Sequence, residues 1–270
     1  MGRLFTFGCS FTSYMWPTWA NIVAYDQEAE HYNLALPGLG NVGIHHRIIE
    51  ADIKYKFQPE DKIMILWTSF SREDRFIDGR WQAEGSVFNA GCRYDNRSWL
   101  KNHWSMQNDL VKNMTAIITV NKLYKDNIIW QGHSFTPYNN EAALIYDESE
   151  HYNLLKDFYS KEIPHIDWHM FETNKPFGTL QDSHPDILGH LQKVRDWIYP
   201  SLGLELRSKT EDRFTLMQHF IVDFVLENKI KEDLDKVYDF IHRNLYLRDD
   251  FQDIKKYSRN IYVFEDMEFS

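Results

Sequence analysis

The sequence predicts an α/β protein: a three-layer α/β/α arrangement around a mainly parallel sheet of about five strands, with a helical C-terminal extension. Three observations carry this prediction. Short β-prone runs alternate with longer helix-like segments over roughly the first 200 residues, the rhythm of βαβ units. The strand runs are nearly continuously apolar instead of alternating, as in strands covered on both faces. Beyond Leu206 only helical spacing remains.

The first strand candidate, Arg3–Cys9, runs through "LFTF" and stops at Gly8, and a helix candidate follows over Met15–Tyr25. His31–Leu36 and the helix candidate Val42–Tyr55 form the next pair, and Lys62–Trp67 ("KIMILW") reads as a fully buried third strand. The stretch 69–104 is too long for an ordinary βα connection and is rich in Arg, Trp and Asn. It is expected as a long loop insertion that walls a site. The helix Ser105–Tyr124, the strand Asn127–Gly132, the helix Tyr152–Lys161, a weaker strand His165–Trp168 and the helix Asp186–Tyr199 complete a first domain over 1–205. In the extension, 206–270, Phe214, Met217, Phe220, Ile221 and Phe224 follow helical spacing, as do Leu234, Val237, Phe240 and Ile241. These faces fit a small helical domain packed on the first. They also fit a docking surface that would build a homo-oligomer or a larger assembly.

Composition bounds the function. A 270-residue chain with 43% hydrophobic and 16% aromatic residues can build a packed core. A net charge of −10 argues against non-specific nucleic-acid binding, which wants a basic face. No run approaches the roughly 18 apolar residues of a membrane span, so no membrane partner is expected. The N-terminus lacks the pattern of a signal peptide. Two cysteines, Cys9 and Cys92, are too few for a disulfide framework. The expectation is a soluble protein made in a cytoplasm, with the sequons at Asn96 and Asn113 as chance matches.

The chemistry concentrates at strand ends, where parallel sheets carry their sites. Gly8-Cys9-Ser10 follows the first strand directly and precedes a helix-like segment. A serine there meets backbone N–H groups, but its hydroxyl needs a base to become a nucleophile. The base candidate is His184, in "LQDSHPDILGH", with Asp182 close enough to orient it. Ser10 as a plain turn or cap residue is the bland alternative. Cys9 as a thiolate nucleophile is weighed against plain packing, which is favoured.

In this order the motifs resemble the SGNH (GDSL-type) hydrolase superfamily, over about the first 200 residues. "FTFGCSFT" is similar to its first block, with Cys9 in place of an aspartate; "YNLALPGLGN" is similar to its second, with the oxyanion glycine at Gly38; and Asp182-Ser183-His184-Pro185 is similar to its last, one residue shorter between Asp and His. The third block, where the family carries an asparagine, reads "ILWTSFSRED", with Ser69 at the asparagine position. The combination looks like a divergent branch seen in bacteriophage and marine bacterial genomes. The resemblance implies a flavodoxin-like SGNH fold and a serine esterase in which Ser10 attacks, His184 acts as base and Asp182 orients it. The N–H groups of Ser10 and Gly38, with Ser69, would hold the oxyanion. Ser69, Thr68, Asn41 or a backbone N–H are the candidates to replace the asparagine.

Arg72 and Arg75, just after the third strand, with Trp67 and Asn41, form the expected substrate-binding set. The implied substrate is a small-molecule or glycan ester, short-chain and of the carbohydrate O-acetyl type. No cofactor and no metal is expected: His165, Asp167 and His169, or Asp182, His184 and His190, offer ligand types without a zinc spacing. "GLGNVG" at 38–43 fits neither phosphate-cradling pattern. The alternative reading is a catalytically impaired module of the same fold, for binding or structure, such as a component of a virus particle. The missing asparagine motivates it, since losing one oxyanion donor costs on the order of a hundredfold in rate.

Overall fold

A computed structural model describes residues 2–86, 96–102, 105–134 and 176–258, together with the helical positions 153, 154, 157 and 161. In chain order, β1 (Leu4–Phe7) leads to α1 (Trp19–Asp26), β2 (His31–Asn33), α2 (Asn41–Tyr55) and β3 (Lys62–Trp67). Then come β4 (Arg72–Ile77), β5 (Arg80–Ser86), α3 (Asn96–Asn102), α4 (Met106–Tyr124) and β6 (Ile128–His133). Among the described residues after 186 the regular elements are helices: α5 (Ile187–Lys193), α6 (Ser208–Glu227), α7 (Leu234–Arg243) and α8 (Gln252–Lys255). The expected strand at His165–Trp168 lies outside the described residues.

Strands β1, β2, β3 and β6 pair in parallel in the order β2-β1-β3-β6, so the sheet is the predicted α/β type. Its strands read as apolar runs because both faces are covered, yet the side chains still alternate. Phe5, Phe7, Ile63, Ile65 and Trp67 join one buried cluster, with Ile44, Ile48, Met114 and Ile117 of α2 and α4. Leu4, Met64, Leu66 and Trp130 join a second, on the face of α1, α5 and α6. Thus a period of two, hidden in an unbroken apolar run, divides the core into two layers.

The insertion expected as a loop over 69–104 contains structure. Strands β4 and β5 form an antiparallel hairpin closed by Asp78 and Gly79, both at positive φ (52° and 75°), as an Asp-Gly two-residue turn requires. Its strands are charged and half-exposed, so they lack the apolar pattern that marks the main sheet. The C-terminal helices share a core with the sheet. Phe214, Met217 and Ile221 of α6 and Val237 and Ile241 of α7 are buried in the same cluster as Leu4, Trp19 and Trp130. Asp26, at the end of α1, accepts hydrogen bonds from Tyr199 Oη (2.7 Å) and Thr210 Oγ1 (2.6 Å), which adds a polar tie across the junction. Among the described residues no helix is long and apolar enough to cross a membrane.

Candidate active site

The site begins at the turn that ends β1. Thr12 and Ser13 donate their N–H groups to Cys9 O at 2.9 and 3.1 Å, folding residues 9–13 back on the strand end. Gly8 is required for contact reasons: a Cβ there would lie 2.2 Å from Thr12 Oγ1 and 3.0 Å from Leu66 O. Cys9 is wholly buried, as the packing reading expects, whereas Ser10 retains 8% exposure and faces the loop that precedes α5.

That loop carries His184. Its Nε2 lies 2.8 Å from Ser10 Oγ, and its Nδ1 lies 2.8 Å from Asp182 Oδ1. The tautomer that satisfies both contacts donates Nδ1–H to the carboxylate and accepts the serine proton at Nε2. The Asp-x-His spacing, one residue shorter than in the resembling family, closes because Asp182 Oδ1 also accepts the backbone N–H of His184 at 2.6 Å. Asp182 Oδ2 takes a third hydrogen bond, from Tyr14 Oη at 2.6 Å. Burial works to raise the Asp182 pKa, but the bonds from His184 and Tyr14 outweigh it and hold the carboxyl below its ordinary value. Burial and the Asp182 hydrogen bond push the Tyr14 phenol up, so it remains a donor.

Tyr14 also stacks on the His184 ring, with centroids 3.8 Å apart and planes at 22°. Phe11 also packs on the His184 ring, with centroids 5.2 Å apart, and neither aromatic is marked by a local sequence pattern. The carboxylate partner of Tyr14 lies 168 positions away. Two further contacts fix the loop. Trp16 Nε1 donates to Pro185 O at 2.8 Å, and Asp186 caps α5 by accepting Gly189 N–H at 2.9 Å.

The second strand end supplies a tight turn. Leu36 N–H donates to Gly8 O (3.2 Å), which brings residues 36–40 beside the Ser10 turn, and Leu39 N–H donates to Leu36 O (3.1 Å). Gly38 sits at φ +83°, behind Pro37, as the third position of a type II turn demands.

The remaining residues of the expected set take other places. Asn41 is fully buried and its amide is used up: Nδ2 donates to Thr68 O and Asn113 Oδ1 (both 2.9 Å), and Oδ1 accepts Thr68 N–H (2.8 Å). It pins the end of β3, and Thr68 is buried with it. Asn113, the second sequon, is buried on α4 in the same network. Ser69 Oγ pairs with Ser71 Oγ (3.0 Å), which pairs with Ser86 Oγ (3.0 Å) at the base of the hairpin. Trp67 is buried in the core with its indole N–H on Gln131 Oε1 (3.1 Å). Arg72 Nη1 donates to Leu39 O (3.1 Å), so it braces the Gly38 turn. Arg75 stands on β4 opposite Gln82.

Among the described residues no group of three His, Cys, Asp or Glu side chains converges on a point where a metal could sit; His165, Asp167 and His169 lie outside them. His190 is buried on α5, where burial, Lys193 and His184 push its pKa well down. A serine, an imidazole and a carboxylate in one hydrogen-bonded chain can move a proton from hydroxyl to ring as the oxygen attacks.

No protein-family model and no curated protein matches this sequence. Among solved structures, the chain is similar to an acetyl xylan esterase (Est2A) from the rumen bacterium Butyrivibrio proteoclasticus, at 16% identity and a TM-score of 0.39, over 75% of this chain and 64% of that one. The chain therefore spans less than two thirds of that neighbour's length.

Proposed function

We propose that the protein is a serine ester hydrolase of the SGNH type. The observation that carries this reading is the unbroken chain Ser10 Oγ–His184–Asp182, with both imidazole contacts at 2.8 Å. In the reaction, Ser10 Oγ attacks the acyl carbonyl while His184 Nε2 accepts its proton. Asp182 holds the imidazole in the required tautomer and stabilises the imidazolium. His184 then returns the proton to the leaving alcohol, and water repeats the cycle on the acyl-enzyme.

The oxyanion is assigned to the backbone N–H groups of Ser10 and Gly38. The Ser69 hydroxyl, already paired with Ser71, is a secondary donor at most. A backbone pair of this kind can supply several kcal/mol of transition-state stabilisation. The proposed substrate is a short acyl ester, of the carbohydrate O-acetyl type that the family resemblance implies. Turnover of p-nitrophenyl acetate tests the reading. Wild-type protein should release p-nitrophenol catalytically, and Ser10→Ala should lower kcat at least about a thousandfold. Equal rates in both would end the esterase assignment and leave a binding module of the same fold.

A further inference from the structure

The hairpin β4–β5 reaches back over the Gly38 turn and grips it from both sides. Gly85 N–H donates to Gly38 O at 3.0 Å, and Arg72 Nη1 donates to Leu39 O at 3.1 Å. The carboxylate of Asp74 takes two further backbone donors of the segment. Oδ1 accepts Gly40 N–H and Oδ2 accepts Gly43 N–H, each at 2.7 Å. These are N–H groups at the start of α2, which has no side-chain cap of its own because its cap position is Gly40. A negative charge there also suits the helix dipole.

The approach is built into the sequence. A Cβ on Gly40 would lie 2.7 Å from Asp74 Oδ2, and one on Gly43 would lie 3.0 Å from Asp74 Cγ. A Cβ on Gly38 would lie 2.4 Å from Ala83 O of β5. Three glycines therefore clear the space in which the hairpin docks. The neighbouring Glu73 points elsewhere, pairing with Lys112 of α4 at 3.3 Å. Burial pushes the Asp74 carboxyl up to about 6, against the two N–H groups and the Arg72 charge.

We propose that the β4–β5 hairpin is the device that positions the Gly38 oxyanion donor, and that Asp74 is its positioning residue. This inference rests on the esterase reading above. The segment that follows β3, where the resembling family places an asparagine donor, instead returns as a hairpin that fixes a backbone donor. Asp74 touches no reacting atom. It acts through Gly40 and Gly43, and a displacement of about 1 Å at the donor can cost on the order of a hundredfold in rate.

The test is steady-state hydrolysis of p-nitrophenyl acetate by wild type, Asp74→Asn and Asp74→Ala, with kcat expressed per Ser10 site labelled to completion by a fluorophosphonate. Asn keeps one acceptor and faces the other glycine with a donor, whereas Ala removes both acceptors. The expected result is a kcat about tenfold lower for Asn and about a hundredfold lower for Ala, with KM within about threefold of wild type. The Ki of a phenylboronic acid, which mimics the tetrahedral oxyanion, should rise in step with the loss of kcat. If Asp74→Ala does not fold, the Asn variant carries the test alone. Wild-type kcat per labelled site and wild-type Ki in the variants would overturn the inference, because Asp74 would then only stabilise the fold. An inactive, unlabelled wild type would instead overturn the esterase reading, and this inference with it.

Discussion

At the scale of single residues, the site rests on side chains that meet from distant parts of the chain. Ser10, Asp182 and His184 were legible because each stands in a local context with meaning: a serine at a strand end, a carboxylate two residues before a histidine. Tyr14 was not legible. Its role depends on which ring happens to lie against the imidazole, and that is a tertiary fact. It orients Asp182 with a 2.6 Å hydrogen bond and packs on His184, so Tyr14→Phe should leave the ring contact and remove the bond. Tyr14→Phe should lower kcat by about tenfold, equivalent to roughly 1.4 kcal/mol. The same change has a pH signature. The Asp182 pKa in the folded protein lies below its ordinary value. Its ionised form therefore adds stability above the unfolded pKa near 3.9, and that stability is lost as pH falls through the lower folded value. Without the phenol the folded pKa rises. Urea midpoints of wild type and Tyr14→Phe should thus differ at pH 7 and converge as pH falls through the lowered Asp182 pKa of the folded protein.

At the scale of elements, the sheet was the most legible part of the protein. Lys62–Trp67 has the bounds its sequence predicts, because a strand buried from Ile63 to Trp67 leaves an unbroken apolar run. The first helix starts later than the expected Met15: residues 15–17 form the turn that brings Tyr14 and Trp16 to the His184 loop, and α1 starts at Trp19 after its Thr18 cap. The hairpin shows no apolar strand pattern because its strands are charged, although Asp78-Gly79 is a usable turn signal. Two glycines of this region should behave differently. Gly38→Ala meets both a positive φ of 83° and a carbonyl 2.4 Å from its new Cβ. It should destabilise the fold by about 1–3 kcal/mol and abolish most activity. Gly79→Ala has a positive φ of 75° but open space around it. It should cost about 1 kcal/mol in thermal or urea unfolding and leave kcat near wild type.

At the scale of the whole molecule, the C-terminal helices pack against the loop that carries His184. Their amphipathic faces were legible, but not what those faces meet, because periodicity names a buried stripe and not its partner. The structure places that stripe against α1 and α5 in one cluster reaching from Leu4 to Tyr257. Gln218 of α6 joins the layers at the His184 loop, donating Nε2–H to Asp186 Oδ2 (2.8 Å) and accepting Ile187 N–H (3.2 Å). Gln181 N–H donates to Lys231 O, and Thr179 Oγ1 donates to Ile230 O (3.0 Å), so the segment leading to Asp182 is pinned to the same layer. Phe214→Ala should therefore cost about 3–5 kcal/mol within a single cooperative unfolding transition monitored by both fluorescence and activity. Two separated transitions, with activity surviving the first, would show that the extension is energetically independent of the site.

In the proposed reaction His184 makes Ser10 a nucleophile. The most direct measurement is peptide mass spectrometry of protein treated with a fluorophosphonate at neutral pH. The expected result is a single phosphonyl adduct on Ser10 in the wild type and a labelling rate at least about a hundredfold slower in His184→Ala. Folded wild-type protein that carries no adduct at Ser10, or labelling at Ser10 that is indifferent to His184→Ala, would contradict it.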